Sequence, residues 1–106
     1  MSGEWVRVCA SAELLPGETR SVWLGETPVV LFNLDGLVYA LHDQCSHEDY
    51  PLSEGEFDAE EASIECLLHG ARFDIRDGNA LCAPAYSAVA RFEAKIEDGG
   101  VHVRAP

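Results

Sequence analysis

Basic residues are scarce in this chain. Seven Lys and Arg stand against 19 Asp and Glu, a formal net charge of −12 over 106 residues. A field of that sign repels phosphate backbones and anionic lipid, so neither nucleic acid nor a membrane surface is an expected partner. No apolar run approaches the length of a membrane-spanning helix. Residues 1–8 (MSGEWVRV) have neither the basic start nor the apolar stretch of a secretory leader, and a cytoplasmic location is expected. No segment holds a 3.6-residue hydrophobic period over three turns, and no internal repeat or linker interrupts the chain. Nor is there a nucleophile–base pair, a glycine-rich phosphate loop or a mononuclear iron triad to suggest an enzyme. With 47% hydrophobic and 25% charged residues, what remains is an ordinary globular chain, expected to form one domain over residues 1–106.

What is present reads as short strands and turns. Residues 4–9 and 19–24 are rich in Val and Trp, with Leu15-Pro16-Gly17-Glu18 as a turn between them. Residues 11–14 fit one helical turn with Ser11 as its cap. An apolar run at 28–33, then Asp35-Gly36, then a second run at 37–42 predict a hairpin, because Gly tolerates the positive φ that primed turns require. Asp77-Gly78 after 72–76 and Asp98-Gly99-Gly100 give two more hairpin signals. Around the last of these, Ala90, Phe92, Ala94 and Ile96 alternate with charged residues. Val101 and Val103 alternate with His102 and Arg104. The expected fold class is all-β, an antiparallel sandwich or partly closed barrel.

One region breaks the rhythm. Residues 43–65 hold nine acidic side chains and no Lys or Arg, and read as a long loop of functional character. Cys45-Ser46-His47 opens it and Cys66-Leu67-Leu68-His69-Gly70 closes it, with 18 residues between His47 and Cys66. Thiolate and imidazole suit zinc or iron–sulfur chemistry. A binuclear centre fits if both sulfurs hold one iron and both nitrogens the other; a Cys₂His₂ zinc module is the alternative, although zinc modules more often use C-x₂₋₄-C pairs.

C-x-H…C-x-x-H-G resembles the Rieske signature, in which two His replace two Cys on one iron of a 2Fe–2S cluster. Phe32–Tyr39, Leu52-Ser53-Glu54-Gly55, His69–Asp74 and the proline of Leu81-Cys82-Ala83-Pro84-Ala85 extend the likeness over nearly the whole chain. In length and order it is similar to the stand-alone Rieske ferredoxins of bacterial aromatic-ring dioxygenase systems. The resemblance implies a Rieske fold, whose cluster-binding subdomain is formed by two ligand loops and a proline loop. It implies one 2Fe–2S cluster per chain, held by Cys45, His47, Cys66 and His69 and surrounded by Gly70, Ala71, Phe73 and Pro84. The histidines of the family bind through Nδ1.

The ligand set has a charge consequence. Two thiolates bring an oxidised 2Fe–2S core, formally +2, to zero, so one added electron makes it −1 and the potential lies well above that of four-cysteine ferredoxins. High-potential respiratory Rieske proteins carry a Ser and a Tyr that donate to sulfur, and a disulfide between the cluster loops. Ala71 and Phe73 replace the first pair here, and Tyr50 and Leu68 stand in place of the second. A low potential is therefore expected. The functional expectation is a one-electron carrier, monomeric and not an enzyme, that meets a ferredoxin reductase and a terminal oxygenase transiently. Glu48, Asp49, Glu54 and Glu56 are expected to meet basic patches on those partners. The alternative within the family is an accessory subunit, of the nitrite-reductase small-subunit type or associated with iron–sulfur assembly. Residues 58–62 lengthen the segment between ligand loops and are expected to stay solvated. Cys9, Trp5 and Trp23 are expected in the core, Cys82 in the proline loop, His42 at the surface or in a hydrogen-bonding role, and His102 on the polar face of the last strand.

Overall fold

The computed structural model describes residues 4–44, 51–67, 70–82 and 88–105, with the backbone only at Cys82. Ten antiparallel strands make two sheets. The larger sheet comprises β1 (Val6–Ala10), β2 (Thr19–Leu24), β3 (Thr27–Leu34), β4 (Leu37–His42), β9 (Arg91–Glu97) and β10 (Gly100–Arg104), in the order β1-β10-β9-β4-β3-β2. Its outer strands β1 and β2 touch, so the sheet is nearly closed. The smaller sheet runs β5 (Glu56–Asp58), β6 (Ser63–Glu65), β7 (Arg72–Asp74), β8 (Ala80–Cys82) in sequence order. No helix among the described residues is long and apolar enough to cross a membrane.

β3 explains how the sheets meet. Its run Val29-Val30-Leu31-Phe32 is fully buried, because alternate side chains enter two different cores. Val29 and Leu31 join Leu14, Ala40, Phe92, Val101 and Val103 inside the larger sheet. Val30 and Phe32 join Leu41, Leu52, Ile64, Cys66, Ala71 and Phe73 between the sheets. Burying each of the large side chains contributes about 1.5–3 kcal/mol. Phe57 of β5 meets Phe32 edge to face, with centroids 5.2 Å apart.

The hairpin signals at Asp35-Gly36 and Asp98-Gly99 hold: each pair has positive φ at both positions, as primed turns require. Asn33, 4% exposed, reinforces the first, its Oδ1 accepting the Gly36 N–H at 2.8 Å while its Nδ2 donates to the Leu14 carbonyl at 2.9 Å. The connection at Asp77-Gly78 is longer than a two-residue turn. Gly78 N–H donates to the Asp74 carbonyl and Asp74 N–H to that of Asn79, so five residues link β7 to β8 and Ile75 is tucked inside.

Five expectations are corrected. Residues 43–65 are not one loop: a 3-10 turn at Leu52–Glu54 and strands β5 and β6 lie within them, because Leu52, Phe57 and Ile64 supply an inward face while Glu54, Glu56, Asp58, Glu60 and Glu61 point out. Within 58–62, Ala62 is 5% exposed at φ 53° and belongs to the core, whereas Asp58 to Glu61 are solvated. The first helical turn, 3-10 over Ser11–Glu13, is capped by Ala10 instead of Ser11, the Glu13 carboxylate accepting the Ala10 N–H at 2.8 Å. Neither tryptophan is core. Trp23 is 66% exposed, since Val22 takes the inward position beside it, and the half-buried Trp5 lies under Lys95 and Arg104, 4.4 and 4.7 Å from its ring centroid. Ala90, just before β9, and Ile96 near its end are exposed although Phe92 is buried; β9 pairs with β4 only at Arg91 and Phe92.

Candidate metal centre

The second cysteine stands where β6 runs out. The β6–β7 ladder ends at Glu65↔Arg72, and the Cys66 N–H then donates to the Ala71 carbonyl at 2.7 Å. The Cys66 carbonyl accepts the Gly70 N–H at 2.9 Å, closing a tight tip. Gly70 sits at φ 73°, which an L side chain rarely adopts, and among the described residues no atom lies within 4 Å of its missing Cβ, so handedness calls for glycine. Cys66 is 1% exposed, in the inter-sheet cluster with Ala71, Phe73 and Leu52. Leu67 beside it is 52% exposed.

The stems of the other two predicted loops reach the same place. β4 leads to Asp43, whose carboxylate accepts the Ser53 N–H and the Ser53 hydroxyl, each at 2.7 Å. Leu52 is fully buried in the cluster that contains Cys66, and a Cβ on Gly55 would come within 2.0 Å of the Glu65 carbonyl oxygen. The chain leaving the first loop is thus pressed onto the strand that delivers Cys66. On the far side of the proline loop, Val89 enters the same cluster and donates its N–H to the Gly78 carbonyl at 2.9 Å. The next residue, Ala90, accepts the His42 N–H at 2.8 Å. Three stems therefore share one apolar floor, the cluster between the sheets.

Of the residues singled out from the sequence, Cys66, Gly70, Ala71 and Phe73 lie together on this floor, with Ala71 and Phe73 fully buried. Glu54 and Glu56 are exposed on the stretch that leaves the first loop. Cys45, His47, Glu48, Asp49, Tyr50, Leu68, His69 and Pro84 fall outside the described residues, as does the side chain of Cys82. Cys9 is a core residue, 9% exposed, and burial pushes its thiol pKa up, against the opposing pull of Arg20. His42 and His102 are partly buried at their strand positions, and the His102 Nδ1 is enclosed with no hydrogen-bond partner among the described residues. Sequence reasoning missed Asp43 and the close approach at Gly55. The Leu52-Ser53-Glu54-Gly55 stretch was part of the resemblance, but contacts across the fold cannot be read from its spacing.

The floor suits the predicted group. A centre holding two thiolates is neutral when oxidised, so an apolar surround of Leu52, Ala71 and Phe73 opposes it far less than it would a four-thiolate centre of charge −2. The donors that could hold it are the thiolates of Cys45 and Cys66 and the imidazoles of His47 and His69. Charge beyond the floor is lopsided. Residues 43–82 carry 11 of the 19 acids and two of the seven basic residues, a net −9 of the −12.

This frame, two β sheets packed over a buried Cys66, fits an iron–sulfur protein of the Rieske class. Residues 4–93 match the Rieske [2Fe-2S] domain, so the chain belongs to that family and its cofactor is a Rieske-type 2Fe–2S cluster. Among curated proteins it is similar to the ferredoxin component of biphenyl 2,3-dioxygenase from Rhodococcus jostii (strain RHA1), 38% identical over 97 residues covering 92% of this chain and 89% of that one. Among solved structures it is similar to the ferredoxin of carbazole 1,9a-dioxygenase from Nocardioides aromaticivorans IC177, with a TM-score of 0.91, 32% identity, and coverage of 96% and 97%. It is also similar to a chain in the complex of reduced oxygenase and oxidized ferredoxin in carbazole 1,9a-dioxygenase, with a TM-score of 0.85, 33% identity, and coverage of 93% and 91%.

Proposed function

We propose that this protein is a soluble one-electron carrier, itself without catalytic activity, that works in the cytoplasm as a monomer. It takes electrons from an NAD(P)H-dependent reductase and passes them to a terminal ring-hydroxylating dioxygenase. The observation that carries the reading is the end-to-end likeness to ferredoxin components, together with a cysteine set in an apolar floor beside a net −9 segment. Cys45 and Cys66 supply thiolates to one iron, and His47 and His69 supply imidazoles to the other. The cluster provides one reversible electron; the chain excludes water beneath it and sets the charge around it. Glu48, Asp49, Glu54 and Glu56 draw basic partner surfaces toward the cluster, and complementary charge speeds encounter without requiring tight binding. The oxygenase–ferredoxin complex of the carbazole system is the precedent for the partner.

The test is spectroscopic. Purified protein should be reddish-brown, hold two irons and two sulfides, and give a Rieske EPR signal on reduction. His69→Ala and Cys66→Ser should each abolish that signal. Colourless protein containing zinc, or a reduced-state signal unchanged in His69→Ala, would overturn the proposal. Stopped-flow oxidation by a ring-hydroxylating oxygenase should slow as salt rises; a rate indifferent to salt removes the steering role of the four acids.

A further inference from the structure

We propose that Asp43 is a positioning residue that staples shut the base of the loop carrying Cys45 and His47 and lowers the potential of the cluster held there. The inference rests on the carrier reading above, since it presumes a cluster on that loop.

Asp43 follows the last residue of β4 and is 8% exposed. Its own N–H donates to the Pro28 carbonyl at 2.9 Å, which fixes its backbone to β3. Its two carboxylate oxygens are both used by one residue: Oδ1 accepts the Ser53 N–H and Oδ2 the Ser53 hydroxyl, each at 2.7 Å. Residues 43 and 53 are thereby bound across the intervening nine, which include both predicted ligands of the first loop. The far side of the staple does not float. Leu52, next to Ser53, is fully buried on the floor with Cys66, and Gly55 abuts the Glu65 carbonyl one residue before Cys66. Asp43 therefore ties the entry of the first loop to its exit, and that exit rests on the strand that delivers the second loop.

A carboxylate is a costly choice for a purely structural bridge. Among the described residues no Lys, Arg or His forms an ion pair with Asp43, and the donors that meet its carboxylate there, the Ser53 N–H and hydroxyl, are neutral. Asn would span the same gap without charge. Two features come only with the acid. Hydrogen bonds to an ionised acceptor are about twice as strong as neutral ones, which tightens the staple. A carboxylate two residues before Cys45 in the chain also sets negative charge against the electron that takes the centre from neutral to −1.

The test uses the full-length cluster-loaded protein and three variants. Two quantities are read: the half-life of visible absorption in EDTA at neutral pH, and the midpoint potential by voltammetry. Asp43→Ala, which removes both acceptors, should shorten the half-life by about tenfold or more, and Ser53→Ala, which keeps the backbone bond, by about threefold. Asp43→Asn can still accept the Ser53 N–H and donate to its hydroxyl oxygen, so it should keep the half-life within about threefold of wild type while raising the potential. That separation of lifetime from potential is not expected of a group that merely helps the chain fold. A half-life unchanged in both Asp43→Ala and Ser53→Ala overturns the staple. A potential unchanged in Asp43→Asn overturns the electrostatic part. Should Asp43→Ala fail to fold, Asp43→Asn and Ser53→Ala decide both parts alone. Wild-type protein that never takes up a cluster would sink the carrier reading and the inference with it, an outcome distinct from normal loading with indifferent variants.

Discussion

Replacing Gly55 by Ala isolates the contact that presses the first loop onto the second. Gly55 has φ −84° and ψ −175°, an extended conformation open to any residue, so the substitution carries no backbone strain of its own. The obstacle is space. The new methyl would lie 2.0 Å from the Glu65 carbonyl oxygen, 3.0 Å from its carbon and 3.1 Å from the Leu52 carbonyl oxygen, all of them backbone atoms that no rotamer change can move. Relief requires the two segments to part by about 1 Å or more. That movement opens the Glu56↔Glu65 end of the β5–β6 ladder and draws Leu52 off its floor. Overpacking costs about 1–3 kcal/mol, and partial exposure of Leu52 adds a share of its roughly 1.5–3 kcal/mol of burial. Allowing about 0.5 kcal/mol back for a less flexible unfolded chain, we expect a loss of about 2–4 kcal/mol, or a fall in Tm of roughly 10–20 °C. Thermal melts of the cluster-loaded protein should show it, with visible absorption lost before the far-UV signal. Gly25→Ala is the control: at φ 65° with nothing within 4 Å of the added methyl, it meets conformational strain alone, about 1–2 kcal/mol. A Gly55→Ala protein that melts within about 2 °C of wild type, or above Gly25→Ala, refutes the reasoning.

Three further outcomes are expected. The midpoint potential should lie below about +100 mV on a Rieske scale running from about −150 to +300 mV, and Ala71→Ser, which adds a donor on the cluster floor, should raise it; voltammetry on both proteins checks this. The Arg76 guanidinium, by its hydrogen bonds and charge, holds the Asp74 carboxyl below the usual aspartate range. Its contribution to stability is therefore in force above about pH 4 and disappears as the pH falls through the lowered folded value, so Asp74→Asn should melt with less difference between pH 7 and pH 3 than wild type. Burial keeps the Cys9 thiol protonated at pH 8, so mass spectrometry should find its peptide alkylated far more slowly in native protein than in urea; equal rates would contradict the burial.

Much of the larger sheet was legible because its signals are local. The strands read at 19–24 and 37–42 have the observed bounds, and Asp-Gly pairs mark two of its turns, since primed turns demand positive φ. The apolar run at 28–33 identified a strand but not its two-sided burial, which depends on a second sheet far along the chain. β5 and β6 escaped because three-residue strands carry too little alternation, and nine acids outweighed the two inward residues Phe57 and Ile64. The tryptophans were misplaced for a related reason: hydrophobicity says how strongly a side chain favours burial, while strand parity decides which face it occupies. At the site, C-x-H and C-x-x-H-G pointed to the metal-binding chemistry. The Asp43–Ser53 staple and the Gly55–Glu65 contact each join residues ten apart and have no periodic signature.

The uneven division of charge has a practical consequence. With −9 of its −12 on residues 43–82, most of the molecule's charge lies in the segment that carries all four predicted ligands. A surface coated with amines should adsorb the protein chiefly through that segment. An electrode prepared in this way would exchange electrons with the adsorbed layer without a mediator, whereas a carboxylate-coated one would hold the same protein off.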